Sequence, residues 1–193
     1  MGVDEAAAVD GRKQRSERSR LAIIEAGLSL MKEGVLIPTA QQIADRAGVG
    51  IRSLFRHFSD MDSFFAAVDE YERSTYESYF TPVDSSGSLE ERIPRMVEVF
   101  SGGYELVSDM VLSTLAQRWH SEVLRQNYAR NQRHLAKKIE QWLPEAKGLN
   151  RQDRHALEAI MSFEFWHRLR EHQGLGVRAG RNLINNLVSG FFS

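Results

Sequence analysis

Apolar residues recur along this chain at steps of three and four, and nowhere alternate at steps of two for long enough to make a strand. That periodicity predicts an all-α fold. Leu21, Ile24, Leu28 and Met31 mark one face of a first helix over about 18–34, closed by Gly34. Thr39 is placed to cap a short helix carrying Ile43 and Ala47. Gly48 breaks that helix, and a second short one runs from about Gly50 to His57. Ser59 or Asp60 caps a longer helix with Phe64, Phe65, Val68 and Tyr71 on one side. The stretch Pro82 to Ser88 reads as a linker. Ser88 and Glu91 form a capping box for a helix that meets a weak point at Gly102-Gly103. A long helix follows over about 117–143. Asn150 caps another that carries Leu157, Ile160, Met161, Phe165 and Leu169. The last helix, after a break at Gly174, holds Ile184, Leu187, Val188 and Phe191.

Length and composition narrow the class. A chain of 193 residues makes one domain or two small ones and can bury a core without staples. It has no cysteine, which excludes disulfides, Cys-based zinc sites, iron–sulfur clusters and a Cys nucleophile. No apolar run approaches the roughly 18–20 residues of a membrane span. The acidic start Met1-Gly2-Val3-Asp4-Glu5 does not resemble a secretory signal. These features predict a soluble cytoplasmic protein without contact to a membrane. Residues 1–11 have no apolar periodicity and are expected to form a flexible tail.

The net charge of −1 conceals an asymmetry. Residues 11–58 hold nine Lys/Arg against four acids, a local +5, which leaves −6 for the rest. A basic end on an acidic body can be directed at phosphates, although a basic run by itself is more often just a solvated face.

The informative stretch is 39–58, Thr-Ala-Gln-Gln-Ile-Ala-Asp-Arg-Ala-Gly-Val-Gly-Ile-Arg-Ser-Leu-Phe-Arg-His-Phe. Two short helices joined at a glycine make a helix-turn-helix. Ile43, Ala44 and Ala47 suit close packing, Val49 fills the angle, and Leu54 faces the core. Ile51, Arg52 and Ser53 then stand at the exposed start of the second helix, where Arg can bond guanine and Ile can meet a thymine methyl. A bare helix–Gly–helix is more often an αα-corner with no ligand.

The residues carry a more specific pattern. Thr39-x-x-x-Ile43-Ala44-x-x-Ala47-Gly48-Val49, followed by Leu54-Phe55-x-His57-Phe58, resembles the signature of the tetracycline-repressor (TetR) family over roughly residues 16–70. The resemblance implies an N-terminal three-helix DNA-binding domain and a C-terminal helical domain for ligand binding and dimerisation. On that basis the chain divides into a tail (1–11), a helix-turn-helix domain (12–60), a connecting helix (61–80) and a ligand-binding and dimerisation domain (81–193). Gln41, Ile51, Arg52 and Ser53 match base-reading positions, and Thr39, Phe55 and His57 match positions that touch phosphates. Three positions depart from the family pattern. Gly50 replaces a better helix cap, Phe55 replaces a tyrosine, and Met61 replaces a lysine that would meet a phosphate. Phosphate affinity is therefore expected to lean on Arg12, Lys13 and Arg15.

Other constellations point elsewhere or nowhere. Gly174-x-Gly176-x-x-Ala179 has the dinucleotide-loop spacing but follows a helix, so it reads as a helix break and restart. Glu164-x-x-His167 has di-iron spacing but lacks the second copy such sites need, and no metal or cofactor is expected. No nucleophile–base pairing or P-loop is visible, so no enzyme activity is expected. Phe100, Tyr104, Trp119, His120, Tyr128 and Phe163 are candidates for lining an apolar pocket. Leu157, Met161, Phe165, Ile184, Leu187 and Phe191 are candidates for a homodimer interface.

Together these readings predict a sequence-specific DNA-binding transcription regulator. Its expected form is a homodimeric repressor on a near-palindromic double-stranded operator, released by a small-molecule effector. The alternative is a helical ligand-binding or enzymatic protein whose helix-turn-helix is only a packing corner. An activator or an architectural DNA binder shares every feature read so far.

Overall fold

The computed structural model describes residues 3–82 and 84–193, with side chains described from Lys13 onward. Among these residues there is no strand, and the chain is helical throughout. The helices are α1 (Val3–Lys32), α2 (Ala40–Arg46), α3 (Ile51–His57), α4 (Met61–Ser78), α5 (Leu89–Gln117) and α6 (Glu122–Trp142). After a 3₁₀ turn at Pro144–Gly148 come α7 (Arg151–Ile160), α8 (Phe163–His167) and α9 (Val177–Ser189), with a π turn at Arg168–His172 between the last two. No described helix is long and apolar enough to cross a membrane.

Most boundaries follow the punctuation in the sequence. Thr39 caps α2 through a capping box with Gln42, and Asn150 caps α7 by accepting from the Asp153 amide. Asp60 starts α4 by accepting from Ser63 N at 2.7 Å. The Gly174–Gly176 stretch is a break and restart, with Gly176 at the cap of α9.

Several boundaries differ from the sequence reading, among them the start of α6, at Glu122 rather than near 117. Helix α1 extends back to Val3, across the stretch read as a tail. That stretch holds Ala6-Ala7-Ala8 after two acids, a favourable helix opening. Met1 and Gly2 lie outside the described residues. Helix α5 runs unbroken through Gly102-Gly103, because the Phe80 ring lies against Gly103. A Cβ added there would meet the ring at 2.8 Å. The expected single helix after Asn150 is instead interrupted at Met161-Ser162, where the Ser162 side chain caps α8 by accepting from Phe165 N.

The chain forms two compact units that do not follow its order. The first comprises residues 1–72 together with 109–128, and the second comprises 73–108 with 129–193. In the first, Ile23, Ile43, Leu54 and Phe64 are fully buried in one apolar cluster that also takes in Leu124. Burying each such side chain stabilises the fold by about 1.5–3 kcal/mol. Residues 109–128 are further fastened by hydrogen bonds. Ser113 Oγ and Gln117 Nε2 donate to the Leu36 carbonyl at 2.8 and 3.0 Å, and Ser121 Oγ donates to Asp62 at 2.6 Å.

In the second unit an aromatic cluster runs from Tyr76 through Phe80, Phe100 and Tyr104 to Phe163, with centroids 5.2–6.2 Å apart. The Tyr104 hydroxyl donates to the Met161 carbonyl at 2.6 Å.

Candidate nucleic-acid interface

The pair α2 and α3 is held from three sides. Arg46 reaches α1, where its guanidinium donates to both Glu33 oxygens (2.6 and 2.8 Å) and to Ser29 (2.9 Å). These interactions hold the Glu33 carboxyl below its ordinary range, with the Arg46 hydrogen bond the largest cause. Gly48 takes φ +66°, a conformation that an L side chain resists, and Val49 N then closes the turn onto the Ala44 carbonyl at 3.0 Å. Leu54, wholly buried, anchors α3, and Phe58 ends it with its ring edge-on to Phe64 at 5.4 Å. The Arg20 guanidinium covers the Phe58 ring at 5.3 Å.

This frame decides what each predicted contact residue can do. Arg52 is exposed and makes no hydrogen bond or ion pair among the described residues. Ile51 is half-buried against the core, and Ser53 is half-buried with its hydroxyl accepting from Arg56 at 3.4 Å. Gln41 is exposed on α2, with its amide nitrogen donating to Asp45 at 2.7 Å. Thr39 spends its hydroxyl proton on Gln42 Oε1 at 3.0 Å, inside the capping box. Phe55 is exposed at 45% and offers a bare ring. Lys13 and Arg15 are exposed on α1, and the side chain of Arg12 lies outside the described residues. Gly50 caps α3 without a side-chain hydrogen bond, as its lack of a side chain dictates.

His57 stands apart from the cations around it. Burial, followed by the charges of Arg56 and Arg20, lowers its pKa, while Glu17 acts the other way. It is therefore the neutral imidazole near pH 7. Its Nε2 is buried without a hydrogen-bond partner among the described residues, which leaves Nδ1 as the nitrogen able to reach outward.

The residues read as pocket-lining divide between the two units. Phe100, Tyr104 and Phe163 belong to the aromatic cluster of the second and are at most 2% exposed. Beside Phe100 and Tyr104 lies a crevice of about 10 Å³. Trp119, His120 and Tyr128 belong to the first unit. There Trp119 is 69% exposed and His120 is also exposed, while the Arg118 guanidinium stacks on both Trp119 (5.1 Å) and Tyr128 (4.7 Å). A cleft of about 180 Å³ in the second unit is lined by Tyr104 together with Leu135, Ile139 and Met161.

The residues read as a dimer interface also divide. Leu157, Met161 and Ile184 are at most 4% exposed within the single chain, so they pack its own core. Leu187 is 38% exposed, and Phe165 and Phe191 are half-buried. Helix α9 thus carries two adjacent apolar stripes. Gly180, Ile184 and Val188 face inward, and Leu183 and Leu187 lie on the neighbouring stripe, which Phe191 continues. The periodicity showed that α9 is amphipathic but not which stripe the protomer uses itself. Among the described residues, no three His, Asp or Glu side chains are placed to hold a metal ion.

A short second helix opening on an exposed arginine, locked over a buried core, defines a helix-turn-helix DNA-binding module. Residues 23–68 match the family model for bacterial regulatory proteins of the tetR family. The N-terminal helix-turn-helix domain is thus similar to the DNA-binding domain of tetR-family transcription regulators. The fold of the whole chain is similar to a crystal structure assigned to a TetR-family transcriptional regulator from Rhodococcus sp. That comparison covers 92% of this chain and all of the other, at 18% identity and a TM-score of 0.63. A structure assigned to a transcriptional regulator from Streptomyces coelicolor A3(2) is similar over 88% of this chain and 98% of its own, at 18% identity and a TM-score of 0.60. No curated protein matches the sequence.

Proposed function

We propose that the protein is a homodimeric repressor that reads a near-palindromic operator and is released by a small molecule. The observation that carries the reading is Arg52, an exposed guanidinium with no partner among the described residues, at the start of a helix anchored by Leu54. In a major groove that group can bond guanine O6 and N7 together, the commonest specific contact in protein–DNA recognition. Ile51 and Gln41 flank it as the further base-reading groups, with Ser53 the least available of the four. Arg12, Lys13 and Arg15 lie on one helix continuous with the module and supply phosphate contacts. Thr39, Phe55 and neutral His57 add little charge to these.

The outer stripe of α9, Leu183 and Leu187 with Phe191 beyond it, supports dimerisation together with Phe165. A two-fold dimer sets its recognition helices about one turn of DNA apart, or a multiple of it, and so selects a palindrome. A ligand that favours one dimer shape over the other changes that spacing. Its leverage equals its differential affinity, typically about 1–3 kcal/mol. Residues 109–128, the meeting point of α5 and α6, are fastened within the DNA-binding unit at Leu36 and Asp62 and would carry such a shift.

Titrations of labelled duplex at several salt concentrations test the reading. Arg52→Ala is expected to cost about 1–3 kcal/mol on the specific site and to relax specificity at one base pair. Exchanging Lys13 and Arg15 for Gln is expected to flatten the salt slope by about one for each phosphate that is no longer neutralised. An Arg52→Ala protein that binds and discriminates like the wild type contradicts the base-reading assignment.

A further inference from the structure

In the second unit four arginines are paired with carboxylates: Arg92 with Glu145, Arg95 with Asp84, Arg170 with Glu105 and Arg181 with Glu98. The cleft beside Tyr104 instead has charged groups of both signs at its mouth. Its floor is apolar, formed by Leu135, Ile139 and Met161, each at most 4% exposed. Its rim carries Gln132, Arg133 and Glu158. None of these three side chains has a hydrogen-bond or ion-pair partner among the described residues, and Arg133 and Glu158 do not pair with each other. A cation and a carboxylate thus flank one apolar floor, and both are available to a ligand.

We propose that this cleft binds a small zwitterion with a compact apolar body, of the class of free aromatic or branched-chain α-amino acids. The body lies on Leu135, Ile139 and Met161. The carboxylate faces Arg133 and Gln132, and the ammonium faces Glu158. An anion without an ammonium meets repulsion from Glu158, and a cation without a carboxylate meets Arg133. The size agrees, since an apolar cavity of about 150 Å³ holds benzene. A half-open cleft of about 180 Å³ takes a ring or branched side chain and leaves the head group at the mouth. As the identity of the releasing effector, this proposal rests on the reading of the protein as a ligand-controlled regulator.

Calorimetric titration of the full chain tests it with L-phenylalanine, L-leucine, 3-phenylpropanoate and 2-phenylethylamine. At least one amino acid is expected to bind saturably. For L-phenylalanine, each analogue lacking one charge is expected to bind at least tenfold more weakly, because one rim charge is left unpaired. Arg133→Gln and Glu158→Gln are each expected to weaken amino-acid binding at least tenfold, and Glu158→Gln is expected to narrow the gap to 3-phenylpropanoate. The proposal is overturned if neither amino acid binds, if the charge-deleted analogues bind equally well, or if the two variants bind like the wild type. The duplex titration is run in parallel on the same preparation. Duplex binding with no amino-acid binding sinks the cleft assignment and leaves the regulator reading intact. Amino-acid binding with no duplex binding does the reverse.

Discussion

Gly102 and Gly103 are identical neighbours in the middle of α5, and their surroundings give them opposite roles. A Cβ on Gly102 would find only Arg181 Nη2, at 3.9 Å. A Cβ on Gly103 would press on the buried Phe80 ring at 2.8 Å. Gly102→Ala is therefore expected to stabilise the protein by up to about 1 kcal/mol through helix propensity. Gly103→Ala is expected to destabilise it by about 1–3 kcal/mol through overpacking. Urea unfolding of the two variants reads the sign directly, and equal effects contradict these opposite roles. Residue identity alone could not separate the two positions. Both read as helix breakers, because the ring that makes Gly103 necessary stands 23 positions earlier in the sequence. Arg52 is the opposite case. Its spacing from Gly48 and Leu54 already placed it at the exposed start of a helix, since a helix-turn-helix leaves little freedom in which residues face out.

At the scale of elements, the sequence was most legible where the signal is local. Thr39, Gly48, Gly50 and Asn150 act on their own turns, and α2, α3 and α7 begin or end where those residues stand. It was least legible where tertiary contacts decide. Nothing in Met110, Val123 or Leu124 marks them as partners of the DNA-binding core, because any apolar helix face carries such residues. The stripe of α9 that packs inward could not be distinguished from the one that stays outside for the same reason.

The 3₁₀ turn at Pro144–Gly148 is another tertiary product. Arg92, 7% exposed, bonds the Trp142 carbonyl at 2.8 Å and both oxygens of Glu145. The Arg92 hydrogen bonds are the largest cause of the lowered Glu145 pKa. A carboxylate held below its unfolded value of about 4.3 contributes stability that is complete above that value. That contribution disappears as pH falls through the folded pKa. Because Glu145 is partly exposed, the contribution at neutral pH is about 1 kcal/mol. Glu145→Gln is expected to lower the melting temperature at pH 7 and to differ progressively less from the wild type below pH ~4. A gap that stays constant down to pH ~3 contradicts this role.

At the scale of the whole molecule, reading a palindrome requires a second copy. A protomer whose own core already uses Leu157, Met161 and Ile184 keeps the outer stripe of α9 exposed for association. Leu187→Glu puts a charge into that stripe without touching the protomer core. It is expected to shift the protein from dimer to monomer in analytical ultracentrifugation while leaving helical content unchanged. It is also expected to weaken operator binding far more than binding to random duplex, because two half-sites can then no longer be read together. A Leu187→Glu protein that remains dimeric removes this face from the interface. The charge distribution acts at the same scale. Residues 11–58 carry +5 against −6 for the rest, a segregation that the overall charge of −1 does not reveal.

Selection of bound duplexes from a random library at physiological salt is the experiment on which sequence-specific recognition by a dimer stands or falls. The expected result is enrichment of a near-palindrome whose half-sites are centred about 10 base pairs apart, or a multiple of that spacing. Retention of duplex without any enriched sequence, or no retention by ligand-free protein, would contradict it.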